Sequence, residues 1–159
     1  GCHLGAEVHV VAGGSEKAQR AEELGAGLVV DYKADEAWHK PLFTATERGG
    51  YDVVVDNVGR ATWKQSLRLA GIGGRIVTVG NTSGPLAETD IRFIFSRQLS
   101  ILGSTMGSHT DFAAVLELLV QGALKPLIHC ELPLSEGMRG HEILEQGEMF
   151  GKVVLLPNH

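Results

Sequence analysis

Cysteine is scarce in this chain: there are only two, Cys2 and Cys130, at opposite ends. That excludes a disulfide framework and any cysteine-based zinc spacing, and it makes a reducing cytoplasm the expected compartment. Positive charge is not in excess either. The 14 Lys and Arg are outnumbered by 19 Asp and Glu, for a net charge of −5. This argues against a nucleic-acid or anionic-membrane surface. No apolar run approaches a membrane span, and the N-terminus carries no signal-peptide pattern. Seven histidines are present, His3, His9, His39, His109, His129, His141 and His159. No pair of them sits at helical metal spacing with a carboxylate and none joins a Cys/His cluster, so no metal site is expected. His141 reads as a satisfied core histidine. The glycine fingerprint G-x-G-x-x-G does not occur, and no Tyr-x-x-x-Lys pair exists: Glu36 follows Tyr32 by four residues, and Val55 follows Tyr51. The latter argues against a dehydrogenase that carries its own tyrosine acid.

What is present is a regular alternation. Apolar runs of strand length lie at 7–12, 27–31, 51–56, 75–80, 99–104 and 152–156. Most are nearly continuous and rich in Val and Ile, as strands buried on both faces are. Helical patterns separate them. Ser15 is placed to cap a helix ending near Gly25. Trp63, Leu67 and Ala70 share a face, as do Ile91, Ile94 and Phe95, and Phe112, Val115, Leu116 and Leu119 before Gly122. Residues 36–48 make a poorer helix, with Pro41 in its first turns. Ser135 is placed to cap a last helix toward Gly147, which Gly137 and Gly140 weaken. Strands alternating with helices imply one α/β domain over residues 1–159, a doubly wound parallel sheet with helices on both faces.

Such sheets bind ligands at the carboxyl ends of their strands. Here the strand ends carry Gly13, Gly14, Ser15 and Lys17; Asp31, Tyr32 and Lys33; Asp56, Asn57, Val58 and Gly59; Gly80, Asn81 and Thr82; and Gly103, Ser104, Thr105 and Met106. Turns use these residue types for their own reasons. Five such ends in one plane nevertheless suit an elongated ligand that approaches backbone N–H groups closely.

The blocks "AEVHVVAGGSEKAQRAEELGAGLVVDYK", "GYDVVVDNVG", "GGRIVTVGNTSG", "LSILGSTMG", "GALKPLI" and "FGKVVLLP" resemble, in order, the medium-chain dehydrogenase/reductase superfamily. The nearest branch is the quinone oxidoreductase (zeta-crystallin-like) enzymes, which are similar to zinc-type alcohol dehydrogenases but commonly lack the metal. The resemblance implies the C-terminal, Rossmann-like cofactor domain of such an enzyme. It also implies that a GroES-like substrate domain, the first Rossmann strand and the glycine-rich loop stand outside this chain, together with any zinc ligands.

In an NAD site an acid at the end of the second Rossmann strand receives the ribose 2′-OH. The matching stretch here, Ala12 to Gly14, has no carboxylate, whereas Ser15 and Lys17 follow, which suits a 2′-phosphate and hence NADP(H). The resemblance places Gly13, Ser15, Lys17 and Tyr32 by the adenosine ribose and its phosphate. It places Asn57, Val58 and Gly59 along the nicotinamide ribose, Val79, Gly80 and Asn81 at the nicotinamide, and Gly103, Ser104 and Thr105 at the carboxamide. Asp56 either joins them or only orders its loop. Lys17 and Arg20 read alternatively as a solvated helix face, and Glu16 is a discordant neighbour. Lys152 in "FGKVV" resembles a phosphate loop, with the glycine spacing one short.

The implied function is NADPH-dependent hydride transfer to a small-molecule quinone or α,β-unsaturated carbonyl, or to an alcohol/aldehyde couple, with no catalytic residue in this part. The alternative from another class is a non-catalytic NADP(H)-binding or dimerisation module. A methyltransferase-like domain is disfavoured, because its cofactor's free ribose hydroxyls call for an acid where Ala12 to Gly14 stand. The strand at 99–104 is an unprotected apolar edge, and a homodimer through Ile101 and Leu102 is expected. With strand order 3-2-1-4-5-6, the strand between 7–12 and 51–56 is the one not found here. Direct closure of 7–12 onto 51–56 is the expected remedy, ahead of filling by another molecule or a loosely folded chain.

Overall fold

The computed structural model describes residues 1–147 and 149–157, so His159 lies outside the described residues. Residue contacts divide the chain into two compact units, Gly1–Met106 and Gly107–His159, where the sequence alone reads as a single domain.

In the first unit, β1 (His9–Ala12) leads into α1 (Ser15–Glu23) and β2 (Leu28–Asp31). Then come α2 (His39–Ala45), β3 (Tyr51–Asp56), α3 (Trp63–Leu69), β4 (Ala70–Thr78), α4 (Ile91–Ser96) and β5 (Ser100–Gly103). Every pairing is parallel, as β-strands joined by helical crossovers require. β1 pairs with β2, and β3, β4 and β5 form a separate sheet in that order. Direct closure of β1 onto β3 therefore does not occur. Three features hold the two sheets in one unit instead. Trp38, Leu42 and Leu69 form a core against which Leu28 and Val30 of β2 and Tyr51 and Val54 of β3 all pack. The His9 Nδ1 and Tyr51 Oη atoms lie 2.7 Å apart and join the amino ends of β1 and β3. Tyr51 also donates to the Leu42 carbonyl at 3.1 Å. A second core, Leu67, Ala70, Ile76 and Leu99, sits under β4.

Several helix details depart from the sequence pattern. Gly14, at φ 104°, is the N-cap of α1, and Ser15 is its first helical residue, without a capping bond. In α4, Phe93 and Ile94 reach the core, whereas Ile91 and Phe95 are exposed. This short helix is capped by Asp90, which accepts from the Arg92 N–H.

In the second unit, α5 (His109–Val120) opens on a capping box between Ser108 and Asp111. β6 (Ile128–Pro133) pairs in parallel with β7 (Lys152–Leu156). A 3₁₀ turn, Leu134–Glu136, precedes α6 (Gly137–Gln146), whose N-cap is Glu136 rather than Ser135. The buried inward residue of α6 is Gly140, against Val153, Leu155 and Leu132. His141, one position on, points outward and is exposed, which corrects the core assignment. Lys152 opens β7, with its N–H bonded to the Leu127 carbonyl, so it belongs to a ladder and not to a phosphate loop. No helix of the described residues is long and apolar enough to cross a membrane.

Candidate functional site

The site builds up at the carboxyl ends of the first unit's strands, in two halves. On the β1–β2 side, the Tyr32 ring lies over Gly13. A Cβ at Gly13 would meet the Tyr32 Oη at 2.7 Å, so any larger residue there must push the ring aside. Asp31 secures this turn. Its Oδ1 accepts from the Gly14 N–H at 2.8 Å and the Lys33 N–H at 2.9 Å. The Gly14 bond is the leading reason that its carboxyl is held below the usual range. Ser15 is exposed and Lys17 half-buried on the first turn of α1. Glu16 pairs with Arg20 at 3.0 Å, which occupies the discordant acid.

On the other side, Asp56 ends β3 as a buried carboxylate, 4 % exposed. It accepts from the N–H groups of Val58 and Gly59 at 2.9 Å each, from the Thr62 hydroxyl at 2.9 Å and from the Ser66 hydroxyl at 2.7 Å. Burial opposes its ionisation, and the bonds from Gly59, Ser66, Val58 and Thr62 prevail, leaving the carboxyl below its ordinary value. Asp56 thus orders the loop that carries Asn57, Val58 and Gly59, and its oxygens are turned into that loop.

The next loop is stapled to it. The Ser83 hydroxyl donates to the Val58 carbonyl at 2.7 Å and accepts from the Ala61 N–H at 2.9 Å. Gly59 has φ 84°, and a Cβ there would strike the Gly84 carbonyl at 2.9 Å. A Cβ at Gly80 would meet the Asn57 carbonyl at 3.0 Å. These glycines permit the close approach of the two loops.

The structure gathers Val79, Gly80, Asn81, Gly103, Ser104 and Thr105 around one open recess of about 620 Å³. The Ser104 N–H, bonded to the Thr78 carbonyl at 3.0 Å, joins the two strand ends. Tyr32, Asn57 and Val58 line a second groove of about 560 Å³ between β1 and β3. Gly13, Ser15, Lys17 and Gly59 line neither cavity; Gly13 is covered by Tyr32. Sequence reasoning named Asp31 only as one of the strand-end residues, without its bond to Gly14, and missed Ser83 and Gly84 as site-shaping residues. An acid two residues before Lys33, and a Ser-Gly pair closing "GNTSG", were the only local signals.

The sequence profile of the family described as zinc-binding dehydrogenase matches residues 2–121. The chain is 30% identical to a zinc-type alcohol dehydrogenase-like protein, YogA, of Leptosphaeria maculans, over 98% of this chain and 45% of that protein. It is 29% identical to a quinone oxidoreductase of Pseudomonas aeruginosa, over 97% of this chain and 50% of that protein. Among solved structures, an NAD-dependent alcohol dehydrogenase superposes with TM-score 0.90 at 38% identity, over 97% of this chain and 45% of that one. The chain therefore spans about half the length of the relatives it matches. These relatives are oxidoreductases, and the α/β fold is the Rossmann-like one. Among the described residues no three His, Cys, Asp or Glu side chains converge on a point that could hold a metal. The described residues thus form no zinc cage. With its profile match, its relatives and its fold in agreement, the chain belongs to the zinc-binding dehydrogenase family.

Proposed function

We propose that this chain is the cofactor-binding part of an NADPH-dependent oxidoreductase that reduces a quinone or an α,β-unsaturated carbonyl, with an alcohol/aldehyde couple as the nearest variant. The observation that carries this reading is the meeting of two strand-end loops and the β5 end around one recess, at the edge where parallel sheets hold nucleotides. When bound, the nicotinamide supplies the hydride, and the protein supplies orientation and exclusion of water. Val79, Gly80 and Asn81 then flank the nicotinamide. Backbone groups of Gly103, Ser104 and Thr105 bond its carboxamide, and Asn57, Val58 and Gly59 position the ribose. At the far end Tyr32 would lie by the adenosine, while Ser15 and Lys17 would receive the 2′-phosphate at the start of α1. No residue of this chain acts as general acid or base. The protein is read as a cytoplasmic homodimer through β5, whose four residues are all exposed and whose outer edge has no strand beside it among the described residues.

One observation favours a second reading, NAD(H). Asp31 brings a carboxylate to the Gly14 N–H at the start of α1, the place where a 2′-phosphate would otherwise find a donor. A cofactor comparison separates the two. In a polypeptide of the relatives' length that contains this chain, NADPH should bind at least about tenfold better than NADH, about 1.4 kcal/mol. Lys17→Ala should erase most of that difference. Equal Michaelis constants for the two cofactors in the unmutated protein would overturn the NADPH preference, and a lower constant for NADH would favour the second reading.

A further inference from the structure

The helix α2 is the bracket between the two sheets of the first unit. Trp38, its N-cap, and Leu42 pack with Leu69 against Leu28 and Val30 of β2 and against Tyr51 and Val54 of β3. His39, the first residue of α2, stands beside Trp38 with the two rings nearly perpendicular and their centroids 6.0 Å apart. The His39 Nδ1 atom is covered, and it alone among the buried side-chain nitrogens and oxygens of the described residues has no hydrogen-bond partner. The charges around it do not favour a second proton. Arg68 of α3 and Lys40 of α2 face it, and Asp35, in the turn before α2, is the opposing acid. The Asp35 Oδ1 already accepts from the Ala37 N–H at 2.7 Å. β2 and β3 present Leu28, Val30 and Val54 to this core, together with the Tyr51 phenol, which is engaged by His9 of β1 and by the Leu42 carbonyl. Burial first, then Arg68 and Lys40, hold the His39 imidazole below its ordinary value.

We propose that His39 is an acid-sensitive latch on α2: neutral, it lets Trp38 and Leu42 seat between the sheets, and on taking a second proton it moves to water and draws Trp38 out of the core. The neutral ring keeps its one N–H on Nε2 and leaves Nδ1 as a bare acceptor, which forgoes a single hydrogen bond. The imidazolium would put an N–H and a positive charge at the same covered point, with no acceptor and with two cations facing it. Trp38 is displaced first, because it adjoins His39 both in sequence and ring to ring. Opening releases the ring to water, where its ordinary value is about 6.5, and so takes up a proton. The latch therefore holds at full strength above about pH 6.5 and weakens as pH falls from there toward the lower folded value. In that window the open population rises by up to about tenfold per pH unit. Gly13 and Tyr32 belong to one sheet's strand ends and Asn57 and Gly80 to the other's, so the open form uncouples the two halves of the candidate site. The latch is independent of the nucleotide reading, since it is measured without nucleotide.

The test is amide hydrogen exchange of the 159-residue chain from about pH 7.5 down to about pH 5, where histidines titrate, corrected for the intrinsic exchange rate at each pH. It is read at Phe43 and Thr44 of α2 and at Ile76 and Val77 of β4. The expected result is a protection of α2 that is lower than that of β4 and falls at least about threefold for the first pH unit below about 6.5. In His39→Gln, which keeps a polar but neutral side chain, that fall should vanish. In His9→Gln, altered at the other histidine that ties the sheets, it should remain. In case His39→Gln fails to fold, the ring-carbon NMR titration of His39 in the unaltered chain takes its place: the midpoint should lie below about 6.5 and mark the pH at which α2 protection stops falling. Four outcomes would each overturn the proposal: α2 protection that does not change with pH, a fall that persists in His39→Gln or is abolished by His9→Gln, a His39 midpoint at or above about 6.5, and equal protection of α2 and β4 at every pH, which would make the opening global.

Discussion

Replacing Asp56 with alanine should be among the most damaging single changes in this chain. The carboxylate is 4 % exposed and receives two backbone N–H groups and two hydroxyls. Thr62 keeps a second acceptor, the Gly59 carbonyl at 3.3 Å, so its loss is small. The Val58 and Gly59 N–H groups and the buried Ser66 hydroxyl lose their acceptor. Each such group left unpaired costs about 1–3 kcal/mol, and partial relaxation of the loop to water brings the sum to about 3–5 kcal/mol. Against a total stability of about 5–15 kcal/mol, that leaves a marginal fold. Asp56→Asn keeps one oxygen for the two N–H groups and should cost about 1–2 kcal/mol.

The sign with pH follows from the direction of the shift. The folded carboxyl is held below its ordinary value, so its contribution is present above the unfolded pKa of about 3.9. It is lost as pH falls through the folded value. Urea unfolding monitored by far-UV circular dichroism at pH 7 and across the acid limb measures both effects. Asp56→Asn should flatten the acid limb relative to the unaltered chain. A loss under about 0.5 kcal/mol for Asp56→Ala at pH 7 would show that the loop holds without its carboxylate and refute the reasoning.

Three further outcomes are expected. Gly13→Ala should displace the Tyr32 ring, which the new methyl would meet at 2.7 Å. Because the ring is half-exposed, the cost should be under about 1 kcal/mol and should vanish in a Tyr32→Ala background, which a double-mutant cycle reads directly. Ile101→Lys should convert the proposed dimer to a monomer at micromolar protein by putting a charge on the β5 edge, as sedimentation equilibrium would show; an unchanged mass would remove β5 from the interface. The chain alone, which carries no G-x-G-x-x-G, should bind NADPH no tighter than about millimolar, roughly −4 kcal/mol, and a micromolar constant by calorimetry would show that the strand-end residues suffice.

Much of the fold was legible because the strands are continuous Val and Ile runs that helical crossovers must leave parallel. β6 was not read, although Ile128, Cys130 and Leu132 alternate with His129 and Glu131 as a half-buried strand does; Pro133 masked its end. Ile91 and Phe95 illustrate a second limit. Their spacing is helical, yet Phe93 and Ile94 are the residues of α4 that pack against the core, because a six-residue helix leaves the choice of face to tertiary packing. The recess around Val79, Gly80 and Thr105 was legible because strand ends of a parallel sheet converge whatever their side chains. The bond of Asp31 to Gly14 and the role of Ser83 were not, because each acts on a residue 17 or 25 positions away, and such pairings are created by the fold.

The two halves of the candidate site stand on different sheets, and this bears on how well the chain could hold an elongated ligand. Gly13, Tyr32 and Asp31 are carried by β1 and β2; Asn57, Gly80 and Gly103 are carried by β3, β4 and β5. No backbone ladder joins the sheets among the described residues. Their relative position rests on the Trp38 and Leu42 core and on the His9–Tyr51 bond at the opposite, amino end. A ligand that spans both halves must therefore bear the entropy of fixing one sheet against the other in addition to its own.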